Sequence, residues 1–201
     1  IQNESILHRI VYEPRGVVAC IVPWNFPFTN FVWSVIPNLV VGNVVVFKHS
    51  EECPLIGKLI EEITQGLPEL PHGVFSEIYG GAEVGAILVE QDVDMIWFTG
   101  SSATGKMLHE IASKRLIKTV LEMGGSNPAI IFDDVTVSDI LPRIYQGRFT
   151  NCGQICDAIK RLIVHRNHFD ETVEKLADYV SKSRIGYPEE LGTQIGPLAS
   201  M

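Results

Sequence analysis

Gly16-Val17-Val18-Ala19-Cys20-Ile21-Val22 is a run of small and β-branched apolar residues, opened by glycine and closed by Pro23. A run of that length and composition reads as a strand buried on both faces. Phe28 to Val41 follows as an apolar helix disturbed by Pro37, and Val44 to Phe47 as the next strand. A helix between two such strands makes a βαβ unit, and hence a parallel pair rather than a hairpin.

The pattern repeats outward. Pro54 to Gly66 reads as a helix with proline in its first turn and glycine at its end. Val74 to Tyr79 is a third strand, Gly80-Gly81-Ala82-Glu83-Val84-Gly85 opens another helix, Met95 to Thr99 is a strand and Ser102 to Ala112 a helix. This alternation places the chain in the α/β class, and residues 14–123 have the rhythm of a Rossmann-like, dinucleotide-binding parallel-sheet domain. After the strand ending Thr119-Val120-Leu121-Glu122, two glycines and a proline in Met123-Gly124-Gly125-Ser126-Asn127-Pro128 cannot continue either element, so a domain boundary is expected there. Residues 124–201 then begin a second α/β unit: Ala129 to Phe132 strand, Val137 to Phe149 helix, Arg161 to His165 strand, Phe169 to Lys182 helix. No internal repeat is visible, and this second unit reads as unfinished.

With 201 residues, 46% hydrophobic and 20% charged, the composition is that of a folded soluble protein, not a disordered chain. A formal net charge of −8 without any basic run argues against nucleic acid as a partner. Apolar stretches such as Pro128 to Phe132 fall far short of the roughly 20 residues that span a bilayer, so no membrane association is expected. Ile1-Gln2-Asn3-Glu4-Ser5 has neither the charged nor the apolar region of a secretory signal, and a cytoplasmic location is the expectation. Cys20, Cys53, Cys152 and Cys156 show neither zinc-ribbon spacing nor the density of a disulfide scaffold, which suggests reduced thiols. His165 and His168 are three residues apart without a matching third ligand, so they read as surface residues and no metal is expected.

Four segments carry candidate chemistry. In Asn151-Cys152-Gly153-Gln154-Ile155-Cys156 a thiol follows a glycine-containing turn whose N–H groups can stabilise a thiolate and an oxyanion. Taken alone, a cysteine there is more often a small packed hydrophobe. Glu122, after an apolar strand and before two glycines, is either a solvated strand end or a general base. Phe98-Thr99-Gly100-Ser101-Ser102-Ala103-Thr104-Gly105 joins strand to helix through small residues, as a pyrophosphate site or an ordinary turn. Pro23-Trp24-Asn25-Phe26-Pro27 fixes a rigid loop in which the Asn25 amide either donates to an oxyanion or caps a turn.

Together these segments, in order, with Gly42-Asn43 before the strand to Lys48 and with Glu122-Met123-Gly124-Gly125, resemble the aldehyde dehydrogenase superfamily over essentially the whole chain. Lys48-His49-Ser50, Glu-Met-Gly-Gly-Ser-Asn-Pro and Cys156-x-Ala-x-Lys-Arg161 look most like bacterial succinate-semialdehyde dehydrogenases. The resemblance implies that the Cys156 thiolate adds to an aldehyde, that Asn25 and the Cys156 N–H hold the oxyanion, and that Glu122 activates the water that hydrolyses the thioester. It places Lys48 and Glu51 at the adenosine ribose, where a carboxylate suits NAD and repels a 2′-phosphate. Ser50 with Lys48 accepts a phosphate if Glu51 turns away, so NAD is favoured while NADP stays open. Trp24 would shape the cofactor channel, Gly81 and Gly85 let backbone approach the cofactor, and Ser101, after Thr99 and Gly100, matches the pyrophosphate contact.

The chain departs from the pattern at Ser34, where many family members carry a lysine near the cofactor and a proton path. Cys152 precedes Cys156 by four residues, so a helical segment would place both thiols on one side as a redox switch, against the plainer reading of a packed cysteine. Family members continue well past a Gly196-Pro197-Leu198-like segment and begin earlier, so the resemblance implies a longer parent and a chain that does not turn over by itself. Ile1 to Glu13 looks like the tail of the strand used for oligomerisation, and the parent is expected to be a homodimer or homotetramer acting on a small aldehyde. Two alternatives remain: a coenzyme A-acylating relative, which Glu122 disfavours, and a non-catalytic truncated paralogue that serves as a binding module.

Overall fold

The computed structural model describes residues 7–200, so the N-terminal pentapeptide and much of the expected oligomerisation strand lie outside the described residues. Two compact units meet in sequence between Glu122 and Met123. In the first, strands β1 (Val17–Ile21), β2 (Val44–Lys48), β3 (Phe75–Ile78), β4 (Met95–Gly100) and β5 (Lys118–Met123) alternate with helices α1 (Pro27–Val41), α2 (Pro54–Gln65), α3 (Ala82–Glu90) and α4 (Ser102–Lys114). The sheet order is β3-β2-β1-β4-β5, and β1 pairs in parallel with both β2 and β4, as does β2 with β3. The chain winds outward from β1 to β3 and then returns to β4 on the other side of β1. That reversal opens a crevice at the carboxyl ends of β1 and β4, where such sheets bind ligands.

The opening heptapeptide looks uniformly apolar because both faces of its strand are covered. Val18 and Cys20 point into a cluster with Val45, Phe47, Phe31 and Val35 of α1 and Ile60 of α2. Ala19, one residue out of phase, joins Ile96, Phe98, Leu88, Val89, Leu108 and Ala112 on the other face. Each fully buried Val or Phe contributes about 1.5–3 kcal/mol. Phe31 meets Phe47 and Phe75 edge-on at 5.6 and 5.8 Å, which locks α1 to the sheet.

Pro37 does not break α1, contrary to the expectation of a disturbed helix. Pro37 and Trp33, one turn before it, both lie on the exposed face, so the carbonyl that loses its N–H partner faces water. The buried face is reinforced by the Asn38 amide, which donates to the Ser34 carbonyl at 2.7 Å.

The second unit is a parallel pair, β6 (Asn127–Ile131) and β7 (Ile159–Val164), connected by α5 (Val137–Phe149) and followed by α6 (Phe169–Ser181). Pro128, expected in a break between elements, instead belongs to β6. The register shifts between Asn127 and Pro128, and β6 pairs with a single strand, so a residue without an N–H costs no ladder bond there. Tyr145 of α5 packs on Tyr179 of α6 at 5.3 Å and accepts a hydrogen bond from the Ser183 hydroxyl at 2.7 Å.

Candidate active site

Parallel pairing gathers the candidate residues of the first unit at one edge of the sheet. Register pairs Ile21 with Phe98, so Trp24 and Asn25, just beyond β1, lie at the same end as Thr99, Gly100 and Ser101 at the close of β4. Trp24 and Asn25 are half-buried in a bend that Pro23 and Pro27 stiffen before α1 begins. Ser101 caps α4: its hydroxyl accepts from the Thr104 N–H at 3.1 Å and donates to the Thr104 hydroxyl at 2.9 Å. The remaining N–H groups of that first turn form an electropositive end suited to a phosphate.

At the end of β2, the Lys48 ammonium is buried, donates to the His49 carbonyl at 3.0 Å and lies 3.6 Å from the Glu51 carboxylate, which is more than half exposed. Gly85 lies against the Lys48 stem and Ile21: a Cβ at Gly85 would sit 3.6 Å from Lys48 Cδ and 3.9 Å from Ile21 Cδ1. Ser50 is buried, and its hydroxyl accepts from the Glu52 N–H at 3.3 Å, which commits it to the turn. Gly81 caps α3, and its N–H donates to Glu83 Oε1 at 3.0 Å. Hydrogen bonds from its own N–H and from Gly81 hold the Glu83 carboxyl below the usual range, with the charge of Lys48 adding to them. Glu83 is a member of this cluster that the motifs did not single out; its acidic side chain in the first turn of a glycine-capped helix was the available signal. Glu122 is exposed at the penultimate position of β5.

In the second unit, the chain leaves α5 through Asn151, Cys152 and Gly153 with φ of 49°, 57° and 75°. Left-handed backbone at two non-glycine residues costs about 1–3 kcal/mol each. The loop is held by the Cys152 thiol donating to the Gly196 carbonyl at 3.5 Å, and by the Gln154 side chain, which accepts from the Ala199 N–H at 2.9 Å and donates to the Asn151 carbonyl at 3.1 Å. Cys156 emerges in the turn that follows, its thiol exposed. Its carbonyl accepts from the Asn127 amide at 2.7 Å, which pins the Cys156 backbone to β6. No role was assigned to Asn127 from sequence, because the bond spans 29 residues.

One expectation is corrected here. The segment from Cys152 to Cys156 is not helical: the 3₁₀ turn ends at Gly153, so no shared helix face aligns the two thiols. Both are free, and the Cys152 thiol points to Gly196. Ser34, the departure from the family's lysine, is buried within α1, where its hydroxyl donates to the Asn30 carbonyl at 2.7 Å. His165 and His168 contact Asp133 at 3.1 and 3.5 Å, just past the carboxyl ends of β6 and β7.

Known proteins place this arrangement. The chain is 38% identical over 193 residues to 2-hydroxymuconic semialdehyde dehydrogenase of Pseudomonas putida, covering 94% of this chain and 40% of that protein. It is 39% identical to a peroxisomal aminoaldehyde dehydrogenase of Pisum sativum, covering 95% and 38%. Among solved structures, an aldehyde dehydrogenase of Mycobacterium tuberculosis complexed with NAD+ superposes with a TM-score of 0.89 at 37% identity, covering 94% of this chain and 39% of that one. Betaine aldehyde dehydrogenase of Staphylococcus aureus in complex with NAD+ superposes with 0.84 at 34% identity, covering 94% and 37%. The chain thus spans about two fifths of the length of the relatives it matches. The profile of the aldehyde dehydrogenase family matches residues 1–201, and the chain belongs to that family.

Proposed function

We propose that this protein is an NAD(P)-dependent aldehyde dehydrogenase that converts an aldehyde, foremost a semialdehyde such as succinate semialdehyde, to a carboxylate, with NAD as the favoured cofactor. The observation that carries the reading is the collection of Trp24, Asn25, Lys48, Glu51, Gly81, Gly85, Thr99, Gly100 and Ser101 at the carboxyl ends of β1 to β4, around the reversal of strand order. The similarity to a dehydrogenase named for a semialdehyde supports the substrate class.

The residues at that edge fit a dinucleotide. A buried ammonium beside an exposed carboxylate offers a donor and an acceptor to vicinal ribose hydroxyls, and the Ser101-capped end of α4 suits the diphosphate. When bound, the nicotinamide supplies the hydride acceptor. The Cys156 thiolate attacks the carbonyl carbon, an S–C bond forms, and the carbonyl π pair becomes an oxyanion. The Asn25 amide and the Cys156 N–H hold that charge; one such donor lowers a barrier by about 2.7–4 kcal/mol. Loss of hydride leaves a thioester on Cys156. Glu122 takes a proton from water, the hydroxide oxygen adds to the thioester, and the C–S bond breaks to return the thiolate and release the acid. The expected self-association of the protein belongs to the same proposal and is supported by the exposed Ile10, Val11 and Tyr12.

Incubation of the full-length parent with succinate semialdehyde, an aminoaldehyde or benzaldehyde, with NAD or NADP, tests the reading. Reduced nicotinamide and the matching carboxylic acid should appear in equal amounts, fastest with the semialdehyde and NAD. No reduction of either cofactor with any of the three aldehydes would sink it.

A further inference from the structure

The second unit holds a cavity of about 290 Å³ to which the chemistry above gives no task, close to the lower end of the range for small-molecule sites. Arg143, Gly147 and Thr150 form one wall, and their spacing of four and seven residues sets them on one face of α5 and the turn that extends it. Facing them are Ile155, Asp157 and the first residue of β7, Ile159. Gly147 keeps the floor open: a Cβ there would fall 2.8 Å from Ile159 Cδ1, so a side chain would collide with β7 and fill the space. Cys156 does not line the cavity, but it stands between two residues that do, its Cα about 3.8 Å from each of theirs.

Arg143 and Asp157 are the two charged residues that line this space, and both are exposed. Among the described residues neither side chain forms an ion pair or a hydrogen bond, with the other or with a third group. The Thr150 hydroxyl donates to the Gln146 carbonyl at 2.7 Å, which leaves its oxygen as an acceptor. One small cavity thus offers a five-donor fork at one place and carboxylate and hydroxyl acceptors at another. A ligand with a single charge would pair with one of these residues and be repelled by the other, whereas a ligand with both charges satisfies both.

We propose that this cavity selects the substrate: a short aldehyde that carries both a carboxylate and an ammonium, the carboxylate held by Arg143 and the ammonium by Asp157, with the aldehyde carbon at Cys156. The inference rests on the reading that Cys156 attacks an aldehyde, and it narrows the semialdehyde of that reading to an amino-acid semialdehyde. The guanidinium takes a carboxylate through two parallel N–H bonds, a geometry that a point charge does not supply. Asp157 accepts from the ammonium and cancels the charge that would otherwise be left on the bound molecule. Both residues determine specificity; the bonds made and broken at Cys156 are those already described.

The test gives the full-length parent, with NAD, three aldehydes built on one skeleton: aspartate 4-semialdehyde with both charges, succinate semialdehyde without the ammonium, and 3-aminopropanal without the carboxylate. Loss of either group should lower kcat/KM by about tenfold. Arg143→Met should bring aspartate 4-semialdehyde and 3-aminopropanal to within about twofold of each other, and Asp157→Asn should do the same for aspartate 4-semialdehyde and succinate semialdehyde. Discrimination that persists in both variants overturns the proposal. Should the variants fail to fold, the parent decides: a preference for aspartate 4-semialdehyde over both analogues supports the assignment, and its absence overturns it. If the parent reduces NAD with none of the three and not with benzaldehyde, the dehydrogenase reading falls and takes this proposal with it; oxidation of succinate semialdehyde with no gain from the added ammonium removes this proposal alone.

Discussion

The two units hold their chemistry in place by different means. In the first, two apolar clusters cover both faces of the sheet, and the candidate cofactor residues sit on strand ends that packing already fixes. In the second, Ile131, Val137, Leu141, Ile144 and Ala158 are buried, while Ile130 and Ile163 on its two strands, and Phe132 just after β6, are exposed. The loop that carries Cys156 has left-handed residues and is secured by individual hydrogen bonds from Asn127, Gln154 and Cys152. A packed core tolerates the loss of one polar contact near its rim, whereas a loop tied by single bonds does not. The proposed cofactor edge should therefore be disturbed mainly by volume changes beneath it, and the proposed nucleophile by deletion of polar side chains.

The largest effect separates the units by function. Cys156→Ser should lower the rate of aldehyde oxidation by about a thousandfold or more while leaving the dissociation constant of NAD within about twofold. A parallel loss of NAD affinity would show that the two tasks are not divided as drawn. Next in size is a volume change in the first unit. Gly57→Ala drives a methyl group into His49 and Glu77, and the overpacking should cost about 1–3 kcal/mol in urea unfolding, with weakened NAD binding. Unchanged stability would mean that the pocket behind β2 is looser than its contacts indicate.

The α/β class and the order of elements were legible because both rest on local periodicity. The strand read over Gly16 to Val22 is β1, and Pro54 with Gly66 bracket α2 as their chemistry suggests. Errors arose where tertiary position overrides a local rule. Pro37 sits on an exposed helix face, and Pro128 sits at a register shift in a strand with one neighbour, so neither meets the environment that makes proline disruptive. The helical spacing assumed for Cys152 and Cys156 failed because Gly153 continues a left-handed run already begun at Asn151. The His49–Glu77 contact and its opening at Gly57 bring three elements together, and no local pattern signals such a meeting.

Asn127→Ala removes the amide that fixes the Cys156 carbonyl, and it sharpens the contrast because it changes almost no apolar volume. The expected cost is about 1–2 kcal/mol at the transition state, read as roughly a tenfold fall in kcat with KM little changed. A change confined to KM would place Asn127 at the substrate, not behind the nucleophile.

The smallest effect comes from Ser101→Ala at the start of α4. The hydroxyl satisfies the Thr104 N–H, so its loss should cost about 1 kcal/mol of stability, as for other N-caps. Leu108 and Ala112 keep α4 anchored in the core, so the helix persists and only its first turn loosens. That turn is the one proposed to face the diphosphate, and NAD affinity should fall by about three- to tenfold with no change in the alkylation rate of Cys156. Normal affinity together with the full loss of stability would make Ser101 a cap alone, and would move the diphosphate away from α4. Slower alkylation of Cys156 would instead tie the first turn of α4 to the nucleophile loop, and the assignment of packing to one unit and polar ties to the other would have to be abandoned.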